Sequence, residues 1–227
     1  SFDDNENYLV YDLLDRVKAE AKRRDEITAR WFDVNMGQIA PELWAKFQES
    51  KDPEVLVEGP AGTGKTLATL HKVHLFAEQV KGFRALICRK SRRDMTDSVL
   101  KTWESDVLPP LHPAMRGPGR MTRHSYTYPN GSEVVVGGLD DASKTFSAEY
   151  DIVVVHEATE ATEDDWEKLQ RSLRNHKLEY QQAIAECNPG HANHWLNLRA
   201  KLGRMRRMKA TFADNPFHGP AIKARHL

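Results

Sequence analysis

The sequence lacks long hydrophobic runs and carries no excess of charge of one sign. No apolar stretch approaches the ~20 residues that a helix needs to span a membrane, and no secretory signal is visible. Lysine plus arginine and aspartate plus glutamate number 33 each, so the formal net charge is zero. Contact with nucleic acid therefore has to come from local basic patches rather than from an overall positive field. We expect a soluble globular chain that does not associate with membranes.

Cysteine is also scarce. The two cysteines, Cys88 and Cys187, stand at the ends of apolar runs and lack the spacing of a metal site. We expect them to be reduced, buried side chains of a cytosolic protein rather than a redox pair. The ten histidines are scattered without the clustering of metal ligands. Because the sequence begins with Ser1, we expect it to be a fragment of a longer protein.

The order of elements indicates an α/β fold. Residues 1–50 are predicted to form a mainly helical extension, because their apolar side chains recur with helical spacing. From about residue 51 onward, strands and helices alternate as in a doubly wound, mostly parallel sheet flanked by helices. The predicted strands are 54–58, 84–88, 152–156, 182–187 and 208–212, and the predicted helices are 64–80, 92–105, 162–174 and 192–202. Residues 129–132 read Pro-Asn-Gly-Ser between two β-rich runs, which predicts a hairpin.

The octet 59–66 fits the phosphate-binding pattern G-x-x-x-x-G-K-[ST] between a predicted strand and a predicted helix. It reads Gly59, Pro60, Ala61, Gly62, Thr63, Gly64, Lys65 and Thr66. Its glycines let backbone N–H groups approach an anion, and the helix N-terminus adds partial positive charge. Lys65 is predicted to reach the β- and γ-phosphates, and the Thr66 hydroxyl to ligate Mg²⁺. The alternative is a glycine turn without a ligand.

A second site is predicted where the apolar run 152–155 ends in His156 and Glu157. An acidic residue at a strand end can support Mg²⁺, and a glutamate beside it can polarise the water that attacks the γ-phosphate. Glu157 suits the second role. His156 stands where an acid is expected, and Asp151 lies ~17 Å away at the other end of the strand. Two explanations stay open: Glu157 serves both roles, or Glu160 assists.

Two further segments are candidates. Asn188 ends the run 183–187 and is placed to sense the γ-phosphate, although Asn-Pro is also an ordinary turn former. Basic side chains concentrate near the end of the chain, at Arg199, Lys201, Arg204, Arg206, Arg207 and Lys209. Such a patch can hold DNA phosphates without reading sequence, face another domain or subunit, or simply be solvated.

Together these motifs resemble the large terminase subunits of tailed bacteriophages. The resemblance covers roughly residues 50–218 and includes 85–91, Lys144 to Ser147, Asn188-Pro189 and the segment 211–217. It implies a P-loop ATPase domain, at 51–218, of the additional-strand, catalytic-glutamate class. It also implies ATP and Mg²⁺ as cofactors, and ATP hydrolysis that drives double-stranded DNA into a procapsid in the cytoplasm of an infected bacterium. Implied partners are double-stranded DNA, the portal protein, the small terminase subunit and further copies in a ring.

The resemblance also assigns roles to individual residues. It makes Lys65 and Thr66 the Walker A pair, Glu157 the catalytic glutamate and Asn188 the residue that couples nucleotide state to DNA grip. Either Gln38 or Gln48 corresponds to a glutamine that reads adenine. The basic finger is Lys144, or else Arg89 or Arg92. Residues 219–227 would begin a linker to a nuclease domain that is not in this sequence, so no DNA cleavage is expected.

Two other functions stay open. One is another P-loop translocase, such as a PhoH-type or helicase-like ATPase. The other is a nucleotide-binding switch or a small-molecule kinase without motor work. A kinase of this class needs no glutamate at the strand end, so Glu157 discriminates between the alternatives.

Overall fold

The computed structural model describes residues 41–140 and 147–211. Several predictions concern residues outside these ranges and are not addressed by the structure: the first 40 residues of the helical extension, Gln38, Lys144, the segment 212–217 and the linker 219–227. In the described ranges, no helix is long and apolar enough to cross a membrane.

Helices and strands alternate along the chain as predicted. The helices are α1 (Pro41–Glu49), α2 (Lys65–Gln79), α3 (Val99–Thr102), α4 (Glu163–Arg171) and α5 (Trp195–Lys201). The strands are β1 (Glu54–Glu58), β2 (Arg84–Arg89), β3 (Ser125–Thr127), β4 (Glu133–Gly138), β5 (Ile152–His156), β6 (Gln182–Cys187) and β7 (Arg206–Lys209).

The strands form one seven-stranded sheet in the order β3-β4-β2-β5-β6-β1-β7. All neighbouring pairs are parallel except β3 with β4, which form the predicted hairpin. Every residue of β1, β5 and β6 is buried, as expected for strands covered by helices on both faces. Because the central strands are parallel, their carboxyl ends meet at one edge of the sheet, which places 59–66, His156 and Cys187 close together.

The two faces of the sheet have separate cores. One core includes Leu70 and Val73 of α2 with Val154 and Ile184 of the sheet. The opposite core includes Trp166 of α4 and residues one position away on the same strands. Side chains alternate along a strand, so His156 and Glu186, two positions after Val154 and Ile184, point to the α2 face. This alternation brings both side chains to the start of α2.

Two predicted elements differ from the observed ones. The predicted helix 92–105 is divided into a 3₁₀ turn at Arg93–Met95, the short α3, and a π-helical turn at Trp103–Val107. The buried side chains Met95, Val99, Trp103 and Val107 recur every four residues, which overshoots a 3.6-residue turn and is accommodated by the wider π turn.

The last predicted strand, 208–212, instead begins at Arg206 and ends at Lys209. It is an edge strand in which Met208 is buried while its charged neighbours are exposed. Charged side chains are common on edge strands, so the bounds of such a strand are hard to predict from its apolar residues.

Candidate nucleotide-binding site

The octet 59–66 forms the turn between β1 and α2. A Cβ at Gly59 would lie 2.7 Å from the carbonyl oxygen of Ala210, so the close approach of the chain after β7 requires glycine. Gly62 and Gly64 have φ values of 76° and 82°, in the left-handed region that glycine adopts without strain. α2 begins immediately after them, at Lys65. The backbone therefore has the strand, glycine turn and helix N-terminus that a phosphate-binding loop needs.

Lys65 and Asn188 meet at this turn. The Lys65 Nζ donates to the carbonyl oxygen of Pro60 at 2.9 Å and to Asn188 Oδ1 at 3.3 Å. The Lys65 side chain is 5% exposed, and its Nζ lies 3.8 Å from Glu186 Oε1. The turn after β6 thus directly contacts the lysine expected to hold phosphate.

Glu186 is a site residue that the sequence did not suggest. Its Oε2 accepts hydrogen bonds from the Thr66 hydroxyl at 3.2 Å and from His156 Nδ1 at 2.7 Å. Burial raises the pKa of the Glu186 carboxyl, but the hydrogen bond and charge of His156, the charge of Lys65 and the Thr66 hydrogen bond outweigh it and hold the pKa below its usual range. A charged residue inside the apolar run 183–187 was the available signal.

His156 occupies the end of β5 opposite Glu186 in the register of the sheet. It is fully buried, and its Nε2 has no hydrogen-bond partner among the described residues. A carboxylate only accepts hydrogen bonds, so Nδ1 carries the hydrogen that faces Glu186.

Glu157 follows directly and has φ 48° and ψ 48°, a left-handed conformation that is uncommon for a residue with a side chain. Its carboxylate makes no hydrogen bond or ion pair with the residues the structure describes. Strained backbone of this kind persists where surrounding structure holds it, often at functional sites. Glu157 also lines the cleft that adjoins the end of β5.

A cleft of about 400 Å³ opens beside these residues. Its lining is mostly polar and consists of Thr66, Arg89, Asp97, Ser98, Val99, Lys101, Thr102, Ser105, Asp106, His156, Glu157 and Glu186. The segment around α3 supplies more than half of the lining, so it forms the wall opposite the sheet edge. Lys101 is a basic residue of this wall that the sequence did not single out.

The candidate finger residues are placed differently from one another. Arg89 lines the cleft, but its guanidinium is held by Glu160 through hydrogen bonds of 2.9 and 2.7 Å. Arg92 instead donates to the carbonyl oxygens of Arg120 and Arg123, and so fastens a neighbouring loop. Gln48 Nε2 donates to the carbonyl oxygen of Ala68 in α2.

The basic cluster near the end of the chain is not one surface. Arg199 is buried and ion-paired with Glu54, Glu163 and Glu167, which removes it from any patch that could contact DNA. Arg207 hydrogen-bonds Asn197 and lies 3.6 Å from Glu58. Lys201, Arg204, Arg206 and Lys209 are exposed.

The donor set at the sheet edge fits Mg²⁺. The described residues contain no group of three or more His, Cys, Asp or Glu side chains able to bind a metal ion by themselves. In nucleotide sites, Mg²⁺ needs fewer protein ligands than this, because phosphates and water supply most of its coordination. The Thr66 hydroxyl donates its hydrogen to Glu186, which leaves the lone pairs of Oγ1 available to a metal ion.

Solved structures with the same fold include phage proteins. The large terminase of the thermophilic bacteriophage D6E in complex with ADP has a TM-score of 0.65 at 11% identity, covering 81% of this chain and 48% of that one. A mutant of the Thermus phage P74-26 large terminase ATPase domain has a TM-score of 0.57 at 16% identity, covering 76% of this chain and 82% of that one. For the UvsW helicase from bacteriophage T4 the TM-score is 0.52 at 12% identity, with 75% and 59% covered.

These identities are low enough that the likeness shows the fold alone. This chain spans about half the length of the D6E large terminases, of which it covers 48%. A sequence search of curated proteins found no match. The family model described as phage terminase large subunit matches residues 52–224. That match covers most of the sequence, confirms the resemblance noted from the motifs, and shows that this chain belongs to the phage terminase large subunit family.

Proposed function

We propose that this chain is the ATPase domain of a DNA-packaging motor, which hydrolyses ATP to ADP and phosphate to move double-stranded DNA into a procapsid. One observation carries the proposal. Thr66 and Glu157 line one cleft at the carboxyl edge of the sheet, and Lys65, the neighbour of Thr66, donates to Asn188 of the turn after β6. Proposed partners are double-stranded DNA, the portal protein, the small terminase subunit and further copies in a ring, in the cytoplasm of the infected host.

Each side chain has a role in this proposal. The amides of 59–66 and Lys65 would bind the phosphates, and Thr66 would hold Mg²⁺, which would supply charge neutralisation at the phosphates. The carboxylate of Glu157 orients and polarises the attacking water. Asn188 contacts Lys65 directly, so a change in the position of Lys65 is passed to the turn after β6.

Two substitutions test the proposal on the 227-residue chain. Lys65→Ala is expected to abolish measurable ATP binding in isothermal titration calorimetry. Glu157→Gln is expected to retain ATP binding while lowering turnover by roughly 10²–10⁴-fold, the usual contribution of a general base. Thr162→Ala, at the cap of α4, serves as a control for altered stability. Normal hydrolysis by the Glu157→Gln variant would contradict the proposal.

The fold shared with UvsW keeps a helicase-like translocase as a second candidate. The two functions differ in the nucleic acid that they follow. A packaging motor is expected to hydrolyse ATP faster with double-stranded DNA than with single-stranded DNA of equal length. Stronger stimulation by single strands would favour the helicase-like alternative.

A further inference from the structure

A strand-end acid is missing from β5, yet a carboxylate is present beside Thr66. P-loop NTPases hold Mg²⁺ with the Ser or Thr of the loop and an acidic residue at the end of a neighbouring strand. β5 offers His156 at that position. The buried carboxylate that contacts Thr66 belongs instead to β6, the strand directly beside β1.

We propose that Glu186 is the carboxylate of the Mg²⁺ site and that His156 positions it there. The inference rests on the proposed nucleotide hydrolysis and assigns to this chain a metal-supporting residue on β6. Glu157 then keeps the role of orienting and polarising the attacking water. Neither Glu157 nor Glu160 is needed to supply the missing acid, and Glu160 is already paired with Arg89.

The contacts of Glu186 support this assignment. Its Oε2 accepts a hydrogen bond from the Thr66 hydroxyl, so the hydroxyl hydrogen points toward Glu186. The lone pairs of Thr66 Oγ1 are then left for a metal ion. Its Oε1 lies 3.8 Å from Lys65 Nζ, at the same point where the phosphates are expected. A buried carboxylate beside the loop hydroxyl is placed to support a cation held by that hydroxyl, next to the phosphates that Lys65 would bind.

The contacts of His156 support a positioning role. Nδ1 fixes one oxygen of Glu186 at 2.7 Å, and burial of the ring leaves it little freedom. Its Nε2 has no partner among the described residues and is free for a further hydrogen bond. Mg²⁺ keeps several waters in protein sites, and hydrogen-bonded carboxylates are usual around bound metals.

The test compares ATP affinity in excess Mg²⁺ with ATP affinity in EDTA, by isothermal titration calorimetry. Glu186→Gln keeps the size of the side chain and removes its charge. We expect it to lose roughly 10–100-fold of affinity in Mg²⁺, the usual effect of changing a residue that supports a bound metal, with no loss in EDTA. Mn²⁺ binding in the presence of ATP, followed by electron paramagnetic resonance, is expected to weaken in parallel.

Two further variants separate position from charge. His156→Ala is expected to lower the ratio of ATP affinity in Mg²⁺ to ATP affinity in EDTA, by a smaller factor than Glu186→Gln does. The double variant His156→Asp with Glu186→Gln returns the acid to β5. It is expected to restore this ratio to near the wild-type value. Glu54→Gln is the control, because Glu54 is a buried carboxylate at the opposite edge of the sheet. It is expected to lower stability and to leave the ratio unchanged.

The outcomes distinguish this inference from the proposed function. An unchanged ratio in Glu186→Gln, with wild-type Mg²⁺-dependent ATP binding intact, overturns the assignment of Glu186 alone. Failure of the double variant to recover any of the ratio, while it remains folded by circular dichroism, also overturns it. If the wild-type chain binds no ATP in either buffer, the proposed function fails and the inference fails with it.

Discussion

The amino ends and the carboxyl ends of the parallel strands form two opposite edges of the sheet, here called the amino edge and the carboxyl edge. Both edges bury polar side chains, but these side chains differ in how many hydrogen bonds the protein gives them. At the amino edge, Asp151 accepts four hydrogen bonds, from the backbone N–H groups of Arg84, Lys177 and Leu178 and from the Asn175 side chain. At the carboxyl edge, the Nε2 of His156 has no described partner and Glu157 sits in a left-handed conformation.

A second carboxylate strengthens the contrast. Glu54, at the start of β1, receives hydrogen bonds from Trp166 Nε1 and from two nitrogens of Arg199. Polar groups that are hydrogen-bonded by protein partners lower the energy of the fold, and each such bond leaves fewer lone pairs for a ligand. The Asp151 and Glu54 carboxylates are therefore held by protein partners, although Gln182 Oε1 at the same edge has no partner among the described residues. At the carboxyl edge, His156 Nε2 lacks a partner and both His156 and Glu157 line the cleft where a ligand would bind.

The largest effect on stability is expected at the amino edge. Arg199→Leu leaves Glu54 buried without its counter-charge, which should lower the free energy of unfolding by about 3–5 kcal/mol. Urea denaturation followed by circular dichroism measures the change. ATP affinity of the folded fraction is expected to stay at the wild-type value, because Arg199 lies across the sheet from the site.

Arg174→Leu provides the matched control for this prediction. Arg174 pairs with Glu149 on the surface, where both side chains are about half exposed. Exposed pairs contribute between about 0 and 1 kcal/mol, so this variant should unfold almost as wild type does. Equal losses in the two variants would mean that burial does not distinguish the pairs, and the comparison between edges would be wrong.

The regular parts of this architecture could be predicted from the sequence. Strands β1, β5 and β6 were located at their observed bounds, because runs of buried apolar residues between turns are a strong local signal. The octet 59–66 is an equally clear signal, because a phosphate-binding loop requires particular residues at fixed spacing. Such local signals indicate one side of the candidate site.

The rest depends on which strands become neighbours. Glu186 is distant in sequence from Thr66 and His156, and only the order β5-β6-β1 brings the three together. In the same way, Arg199 belongs to a basic cluster in the sequence, but in the fold it is paired with Glu54. Charged residues inside apolar runs were the visible signal, but their partners could not be identified from spacing.

At Glu157 we expect an effect on stability that is smaller than the effect of Arg199→Leu. A left-handed backbone costs a residue with a side chain roughly 1–2 kcal/mol, and glycine avoids that cost. Glu157→Gly should therefore be more stable than Glu157→Ala by about 1 kcal/mol in free energy of unfolding, with turnover lost in both. Differential scanning calorimetry of the two variants measures the difference.

The control for this pair is Lys168 in α4, where the backbone is helical. There the order should reverse, with Lys168→Gly about 1 kcal/mol less stable than Lys168→Ala. If glycine gives no advantage over alanine at position 157, the conformation there stores no strain, and the carboxyl edge is less costly to the fold than we infer.

The smallest effect is expected for the Arg89–Glu160 pair at the carboxyl edge. The Arg89 hydrogen bond and charge, against a smaller opposing effect of burial, hold the pKa of Glu160 below its usual range. A carboxyl whose pKa is lower in the folded state stabilises the fold above its unfolded pKa, and that contribution is lost as pH falls through the folded value. Since Glu160 is 41% exposed, solvent limits the contribution of the pair to at most about 1 kcal/mol.

The free energy of unfolding of Glu160→Gln should thus be slightly lower than that of wild type at pH 7 and equal to it in acid. Urea denaturation across pH measures this difference. A loss as large as that of Arg199→Leu would show that this edge, too, is held by saturated charges.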